Sequence, residues 1–268
     1  MRRLTSIYTP PEIDDLIRKG AIFYISHSGG KDSQAMYALV RQVVPHDQIV
    51  VVHATLGEVE WPGVIKHIEA NIDHQLNIVR AGKTFLEMVE YRGMWPSAAY
   101  RQCTSDLKRG PIFKFIRNDL KARSATIAIN CMGLRAEEST ARAKRQPFKY
   151  NQPESLPGKR DVWDWLPVFY LTTDEVFQTI ADAGQKPFWA YQQNERLSCV
   201  FCIMGSVNDL QHGARQNPDL YRRYVELEKQ IGHTMFMRGK EPISLEEHVG
   251  IRVCEVNSLA RQANRTLC

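Results

Sequence analysis

The stretch Ala21-Ile-Phe-Tyr-Ile-Ser-His-Ser-Gly-Gly-Lys-Asp-Ser33 joins an apolar run to a glycine-rich turn, and a helix-like run, 34–40, follows it. The order strand, turn, helix lets backbone N–H groups close on an anion at a helix N-terminus. Paired glycines leave room for a phosphate, and Lys31 adds charge. The pattern is neither G-x-x-x-x-G-K-[ST] nor G-x-G-x-x-G. We therefore predict a phosphate site at residues 28–33, with an ordinary glycine turn as the alternative.

The rest of the chain repeats this alternation of strands and helices. Apolar or β-branched runs typical of buried strands lie at 21–26, 49–54, 76–80 and 124–131. Helical patterns lie between and after them, at 9–19, 32–43, 62–75, 84–91, 111–120, 174–183 and 217–231. Such alternation predicts an α/β layered fold with a parallel sheet.

The composition of the whole chain sets outer bounds. It has 268 residues, 43% of them hydrophobic, which supports a sizeable core. A net charge of +5 and a pI of about 8.9 favour anionic partners. No apolar run approaches the length of a membrane span, and residues 1–4 lack the apolar stretch of a signal peptide. We expect a cytoplasmic protein without membrane contact, built as one domain over 1–268 with a core at 20–205 and a helical extension at 206–268.

Residues 140–160 differ from their surroundings. They hold three prolines and many basic residues and show no apolar period, which predicts a long irregular, functional or disordered loop. The chain returns to the core at 164–168, and Thr173 is expected to cap the helix at 174–183.

Polar residues follow the predicted strands. In a parallel sheet, binding sites lie beyond the carboxyl ends of the strands. His53 and Ala54 end the second strand, where backbone groups can hold an adenine. Gly133 and Arg135 follow the fourth strand, and a guanidinium there can clamp phosphate or sulfate. As alternatives, His53 has a purely structural role, and Arg135 forms a surface ion pair with Glu137 or Glu138. Asp32 either binds Mg²⁺ or caps the helix.

Six cysteines occur in the chain: Cys103, Cys131, Cys199, Cys202, Cys254 and Cys268. A disulfide framework is not expected in a cytosolic chain of this size. The Cys199-x-x-Cys202 pair indicates a metal centre, and Cys103 is the natural candidate for its second half. We predict that these three meet beside the nucleotide, that Cys131 is a core residue, and that Cys268 is terminal and mobile.

Two motifs carry a resemblance to a known family. Ser28–Ser33 resembles the PP-loop, S-G-G-x-D-S, of the adenine nucleotide α-hydrolase superfamily, which includes ATP pyrophosphatases, tRNA thiolases and PAPS/APS reductases. Gly133-x-Arg135-x-x-Glu138-Ser139 is similar to the G-x-R-x-x-E-S motif of its PAPS-reductase-like branch. Over residues 20–205 the resemblance implies a Rossmann-like (HUP) parallel sheet flanked by helices, with a C-terminal helical, cysteine-bearing extension. Its nearest likeness is to the DndC/SspD type of ATP pyrophosphatase in DNA phosphorothioation.

The cysteine segments extend this resemblance. Arg101-x-Cys103-x-x-Asp106-Leu107-Lys108-x-x-Pro111 resembles the part of assimilatory APS reductases that holds half of a [4Fe–4S] cluster, although those enzymes have tandem cysteines where this chain has Gln102-Cys103. The resemblance thus implies a three-cysteine iron–sulfur cluster with one open iron, as in PP-loop tRNA thiolases. A site closed by Cys254 or by a non-cysteine ligand, and a structural zinc, remain the alternatives.

The resemblance also implies a reaction. ATP would bind through Ser28, Gly29, Gly30, Lys31, Asp32, Ser33 and Arg135. Lys31, Asp32, Arg135 and Mg²⁺ would assist attack on the α-phosphorus with pyrophosphate leaving. Sulfur from a cysteine desulfurase would then displace the adenylated group.

The acceptor expected from charge is DNA, because Lys108, Arg109, Lys114, Arg117, Lys121 and the 142–149 loop are basic. The Glu-Cys-Gly-Leu/Ile-His motif of sulfonucleotide reductases is not found, which weighs against the first alternative, a PAPS/APS reductase. The second alternative is a non-enzymatic nucleotide- or nucleic-acid-binding module with a structural zinc.

Overall fold

The computed structural model describes residues 7–255. The strands run in chain order as β1 (Ile22–Ser26), β2 (Ile49–Ala54), β3 (Leu76–Val79), β4 (Ile127–Met132), β5 (Phe148–Tyr150), β6 (Asp161–Trp165), β7 (Phe236–Arg238) and β8 (Glu241–Ile243). The helices are α1 (Glu12–Arg18), α2 (Lys31–Val40), α3 (Val64–Glu69), α4 (Phe85–Arg92), α5 (Gln102–Thr104), α6 (Gly110–Ala122), α7 (Thr140–Ala143), α8 (Thr173–Asp182), α9 (Val207–Gln216), α10 (Pro218–Ile231) and α11 (Leu245–Val249). A π-helical turn, Ser105–Arg109, joins α5 to α6.

These elements divide into two compact units that interleave along the chain. Within the described residues, unit 1 comprises 7–55, 63–80 and 109–188, and unit 2 comprises 56–62, 81–108 and 189–255. The PP-loop and the 133–139 motif belong to unit 1, whereas Cys103, Cys199 and Cys202 all belong to unit 2.

Unit 1 is a six-stranded sheet in the order β3-β2-β1-β4-β6-β5. All neighbouring strands are parallel except β5, which pairs antiparallel with β6. Helices cover both faces, because alternate residues of the central strands are apolar on each side. Phe23 and Ile129 pack with α1, α2 and α8 on one face, and Tyr24 and Ala128 pack with α6 on the other. The predicted α/β Rossmann-like fold is confirmed.

The prediction of an irregular loop at 140–160 is in part wrong. It contains α7 and the edge strand β5, and the sheet continues into β6, which the sequence did not predict as a strand. The aromatic rings explain the pairing: Phe148 stacks on Trp163 at 5.1 Å, and Tyr150 meets the same ring edge-on at 5.2 Å. A three-residue edge strand held by cross-strand aromatic contacts has no apolar period of its own.

Two helix boundaries also differ from expectation. The helix predicted at 62–75 ends as α3 at Glu69, where the Asn71 side chain donates to the carbonyl of His67 at 2.7 Å and competes with further helical turns. The cap of α8 is Thr172 rather than Thr173, because its hydroxyl accepts from the N–H of Glu175 while the Glu175 carboxylate accepts in return.

Unit 2 is built from α4, α5, α9, α10, α11 and the β7–β8 hairpin. Its core includes a stack of aromatic rings in which Tyr224 of α10 lies 5.1 Å from Trp95 and 6.1 Å from Phe85. The buried carboxylate of Glu228 accepts from the N–H groups of Met235 and Leu245, which fixes the hairpin to α10. None of the helices in residues 7–255 combines the length and the apolar character that crossing a membrane requires.

Candidate functional site

The PP-loop is a closed turn between β1 and α2. The Ser28 N–H donates to Ser33 Oγ at 3.1 Å, and Ser33 Oγ donates to the carbonyl of Gly30 at 2.8 Å. Gly29 has φ +79°, a left-handed conformation in which glycine carries no Cβ strain. Gly30 is the N-cap of the ten-residue helix α2 and has no side chain to cap its first turn. The turn thus presents a helix N-terminus to an anion, as predicted for phosphate binding.

His27 supports the loop from inside, a role the sequence reasoning missed. Its Nδ1 accepts from the Gly29 N–H at 3.1 Å, so a neutral ring carries its proton on Nε2. The side chain is buried, and within residues 7–255 Nε2 makes no hydrogen bond. Burial, with smaller effects of His53 and His67, lowers the pKa of His27 to about 3. The only sequence signal is its position directly before the glycine turn.

Asp32 lies between the two cations predicted to act on phosphate. Its Oδ2 accepts from Lys31 Nζ at 3.0 Å, and its Oδ1 accepts from Arg135 Nε at 2.6 Å. Burial alone would lower the pKa of Arg135, but the Asp32 carboxylate outweighs it and raises the pKa above its usual value. Asp32 is therefore a bridge that holds both side chains against the start of α2.

Most of the donors of Arg135 are already engaged. Nη1 donates to Glu137 and, at 3.0 Å, to the carbonyl of Leu171, and Nη2 donates to Thr173 Oγ1 at 3.1 Å. The side chain is 2% exposed. The ion pair with Glu137 considered from the sequence is thus present, but as part of a buried network. The guanidinium orients Asp32 in this structure, and its direct contact with phosphate stays a prediction.

Gly133 allows the end of β4 to approach the PP-loop closely. A Cβ on Gly133 would lie 2.9 Å from the carbonyl carbon and oxygen of Asp32 and from the nitrogen of Ser33. These are backbone atoms at the start of α2, so they cannot swing aside as the end of a side chain can. The first residue of the 133–139 motif is glycine because the two segments touch there.

His53 and Ala54 lie at the carboxyl end of β2, as predicted. His53 is buried, and its Nδ1 donates to the carbonyl of His27 at 2.9 Å, so the imidazole ties the ends of β1 and β2 together. This contact favours the structural alternative for His53. The backbone contact of both residues with an adenine stays a prediction.

The cysteine cluster of unit 2 consists of Cys103, Cys199 and Cys202, each half-buried. Burial, followed by repulsion from Cys202, raises the pKa of Cys103. Burial raises the pKa of Cys199 to about 12, with Lys108 acting in the opposite direction and both other thiols adding to the increase. This mutual influence places the three thiols near one another, although almost a hundred residues separate Cys103 from Cys199 in the sequence.

Lys108 lies among these thiols rather than on an exposed basic surface. Burial lowers the pKa of Lys108, but Cys199, Glu60 and the other two thiols raise it above its usual value. The side chain is half-buried and stays protonated. It supplies positive charge to the cysteine cluster, and this changes its interpretation from the nucleic-acid contact suggested by the sequence.

Close packing determines the shape of the Cys199–Cys202 turn. The Val200 N–H donates to the carbonyl of Val59 at 2.9 Å, and the Met204 N–H donates to Cys202 Sγ at 3.4 Å. On α9, a Cβ at Gly213 would lie 2.9 Å from a methyl of Val200 and 3.0 Å from its carbonyl oxygen. The helix therefore presses directly on the turn that carries two of the thiols.

The donor set of the cysteine cluster fits an iron–sulfur cluster. Thiolate sulfur binds both iron–sulfur clusters and zinc. A tetrahedral zinc ion with Zn–S bonds of about 2.3 Å would gather its sulfurs to about 3.8 Å. Within residues 7–255, no three His, Cys, Asp or Glu side chains are arranged to hold a single ion. The fit rests on the chemistry of the donors, three cysteine thiols, and the metal site stays a prediction.

The remaining cysteines lie elsewhere. Cys131 is buried in β4 of unit 1, and burial raises the pKa of its thiol well above the usual value, in agreement with a core role. Cys254 is exposed, and the prediction for Cys268 lies outside the described residues. The predicted position of the cysteine cluster beside the nucleotide also stays a prediction.

Several of the basic residues predicted to meet nucleic acid form ion pairs. Arg117 pairs with Glu154 at 3.0 Å, and Arg142 pairs with Glu138. Lys144 and Arg145 follow on the exposed part of the same segment. The positive surface expected at 142–149 is therefore partly neutralised.

One family model and two known proteins match parts of this chain. Residues 22–205 match the family described as the phosphoadenosine phosphosulfate reductase domain. An uncharacterized 37.8 kDa protein of Escherichia phage 186 is 26% identical over 188 residues, which cover 67% of this chain and 54% of that protein. The chain thus spans about half the length of this curated relative. The crystal structure of phosphoadenylyl-sulfate (PAPS) reductase from Candida auris, a phosphate complex, is 12% identical with a TM-score of 0.42, covering 72% of this chain and 97% of that one.

Proposed function

The chain belongs to the phosphoadenosine phosphosulfate reductase domain family, and from this we propose that it is an ATP-dependent, iron–sulfur sulfurtransferase. Family membership supports an enzyme of the PP-loop superfamily. Unit 1 would bind the nucleotide and release pyrophosphate, and unit 2 would hold the sulfur to be transferred. This assignment goes beyond the family match and depends on the residues of the two sites.

The observation that carries the proposal is a cluster of three thiols rather than four. Gln102 stands beside Cys103 where assimilatory APS reductases have a second cysteine. With its amide oriented to suit its neighbours, Gln102 donates to the Tyr100 carbonyl at 2.7 Å and accepts from Arg92 at 3.1 Å, so its polar atoms are engaged by those residues. A bound cluster with three cysteine ligands would supply an open iron at which sulfur can be held.

The nucleotide site supports adenylyl chemistry. The N-terminus of α2 offers backbone donors to phosphate, and Lys31 adds a buried ammonium. Asp32, held on one oxygen by Arg135 and on the other by Lys31, is the carboxylate of the PP-loop best placed to join a Mg²⁺–ATP complex. These groups would stabilise the charge that develops as pyrophosphate leaves.

We infer DNA as the acceptor and a cysteine desulfurase as the sulfur donor. The net charge of +5 and the exposed Lys144 and Arg145 support an anionic polymer. Binding to a DNA duplex should then weaken steeply with salt, because phosphate contacts release counterions. A Lys144→Ala, Arg145→Ala variant should show a smaller salt slope. Binding that is flat from low to physiological salt would indicate a small-molecule acceptor instead.

Reduction of PAPS or APS is the second candidate, and the family match favours it. The two reactions differ in what they consume and release. A sulfurtransferase of the proposed type releases pyrophosphate from ATP, whereas a reductase releases sulfite from a sulfonucleotide in the presence of a dithiol. The two products can be measured on the same anaerobic preparation.

The experiment uses the full chain, purified and reconstituted without oxygen. With duplex DNA added as the acceptor to be adenylated, we expect exchange of labelled pyrophosphate into ATP and no sulfite from PAPS or APS. The Gly30→Ala, Ser33→Ala variant should lose ATP binding by calorimetry while its circular dichroism stays that of the wild type. Sulfite release without ATP-dependent pyrophosphate exchange would replace the proposal with the reductase. Wild-type ATP affinity in the double variant would remove the PP-loop as the nucleotide site.

A further inference from the structure

The hydroxyl of Tyr224 is a buried polar group without a partner. The side chain is fully buried on α10, with its ring 5.1 Å from Trp95 and 5.0 Å from Phe201. Within residues 7–255, no atom forms a hydrogen bond with its hydroxyl. Such groups are rare in folded proteins, because burying a hydroxyl without a hydrogen bond opposes folding.

The surroundings of this hydroxyl are the cysteine cluster. Phe201, whose ring packs on Tyr224, lies inside the Cys199–Cys202 turn. All three thiols act electrostatically on the phenol, although none accepts a hydrogen bond from it. The Tyr224 ring thus packs on the turn that carries two of the thiols, and its hydroxyl has no partner among residues 7–255.

We propose that the Tyr224 hydroxyl donates a hydrogen bond to the sulfur of the group held by Cys103, Cys199 and Cys202, an inferred cofactor contact that rests on the proposed function. A phenol is protonated at neutral pH and can donate one hydrogen bond. Sulfide and thiolate sulfurs of a cluster are charged acceptors, and hydrogen bonds to them help to determine its reduction potential. The Tyr224 hydroxyl has no partner within residues 7–255 because its acceptor arrives with the cofactor.

Tyr221 provides a matched control three residues earlier on α10. Its ring also packs on Phe201, at 5.4 Å, but its hydroxyl donates to the carbonyl of Ile251 at 2.6 Å. Replacing either tyrosine by phenylalanine keeps a ring beside the cysteine cluster and removes one oxygen. Of these two oxygens, only that of Tyr224 has no partner within residues 7–255.

The test compares Tyr224→Phe and Tyr221→Phe in metal-free and loaded protein. In the metal-free protein, we expect Tyr224→Phe to unfold at the same or a higher denaturant concentration than the wild type. Tyr221→Phe should unfold at a lower one, because it loses a made hydrogen bond. Both proteins are then reconstituted anaerobically with ferrous iron and sulfide.

In the iron-loaded protein, Tyr224→Phe should be the variant with the larger effect. Tyr224→Phe should release iron to a chelator roughly tenfold faster than the wild type, the change that one hydrogen bond to a charged group makes. Its reduction potential should be more negative, because a donor to sulfur favours the reduced state. Tyr221→Phe should match the wild type in both measurements. A cofactor contact predicts that Tyr224→Phe is harmless without iron and harmful with iron. A structural role would predict a loss of stability already without iron.

The contrary outcomes are distinct. If Tyr224→Phe equals the wild type in iron release and potential, the inference is wrong while the proposed function stands. If it is less stable already in the metal-free state, the hydroxyl has a structural partner and the inference is also wrong. If the wild type itself takes up no iron, the proposed iron–sulfur function fails, and the contact fails with it.

Discussion

Arg135 Nε donates to Asp32 Oδ1 at 2.6 Å and joins two motifs that lie 103 residues apart in the sequence. The contact links the segment after β4 to the first turn of α2. Since Asp32 also accepts from Lys31, the geometry of the PP-loop depends on a residue outside it. The 133–139 motif therefore acts on the PP-loop through Asp32.

Replacing Arg135 by lysine should lower both stability and nucleotide affinity. A lysine ammonium lacks the planar fork that reaches Asp32, Glu137 and the Leu171 carbonyl together. We expect a loss of about 3 kcal/mol in the free energy of unfolding, since a buried ion pair is broken. Urea denaturation and ATP titration measure the two effects. Arg142→Lys, at the partly exposed pair with Glu138, should cost less than about 1 kcal/mol.

Gly133→Ala should disturb the PP-loop without touching its sequence. The new Cβ would meet backbone atoms of Asp32 and Ser33 at 2.9 Å, so the end of β4 and the start of α2 must move apart. Overpacking of this kind costs about 1–3 kcal/mol. ATP affinity by calorimetry should fall as well. Gly82→Ala is the control, because its Cβ would have no neighbour within 4 Å; equal behaviour of the two variants would contradict the close approach.

The sequence predicted the parts of unit 1 that its local pattern determines. Continuous apolar runs predicted β1 and β2, and the glycine turn predicted the junction between β1 and α2. The edge strand β5 could not be read in this way, because pairing with β6 holds it in place rather than any pattern within 148–150. The box that caps α8 was readable as Thr172-x-x-Glu175, and choosing Thr173 instead was an error.

Long-range partners lay beyond the local patterns. Arg135 contacts the PP-loop through Asp32, but nothing near it in the sequence indicates Asp32 as its partner. The convergence of Cys103 with Cys199 was predicted from the resemblance to a family, and the structure places these thiols near each other in unit 2. Lys108 was taken for a surface cation, because a lysine among basic residues gives no signal that it faces thiols. The unpartnered Tyr224 hydroxyl is visible only once the packing is known.

Acid should destabilise the protein through His27. Its pKa is about 3 when folded and near 6.5 when unfolded, so the folded state binds fewer protons between these values. The stabilisation is complete above pH 6.5 and is lost as the pH falls towards 3, by at most about 1.4 kcal/mol per pH unit. His27→Asn keeps an acceptor for the Gly29 N–H and removes this titration. The free energy of unfolding of the wild type should therefore approach that of His27→Asn as the pH falls. A difference between the two free energies that is constant with pH would contradict a neutral, buried His27.

Gly213→Ala should weaken metal binding at the cysteine cluster, because Gly213 of α9 packs against the Cys199–Cys202 turn. The added Cβ would press on Val200, inside the Cys199–Cys202 turn, at 2.9 Å from a methyl and 3.0 Å from the backbone oxygen. The helix can shift away or the turn can move, and either costs about 1–3 kcal/mol. Iron bound per folded chain after anaerobic reconstitution should fall. Unchanged iron together with unchanged stability would show that α9 does not support the turn.

Replacing Cys103, Cys199 or Cys202 by serine should lower bound iron and labile sulfide together. Burial and, after it, the neighbouring thiols raise the pKa values of Cys103 and Cys199, and a bound metal would compensate for both. A centre that binds all three should therefore lose its affinity when one is removed. Wild-type protein purified without oxygen should be brown with broad absorption near about 400 nm, as expected of iron–sulfur ligation by cysteine, whereas a zinc protein would be colourless.

Two further cysteines serve as controls for this series. Cys131→Ser changes a buried residue of β4 in unit 1 and should lower stability without lowering iron per folded chain. Cys254→Ser changes an exposed residue and should leave iron unchanged. Loss of iron in Cys254→Ser would mean a closed four-cysteine site, and the open position for sulfur would have to be given up. Full retention of iron in Cys103→Ser would contradict a centre bound by all three cysteines, because Cys199 and Cys202 would then be sufficient to hold it.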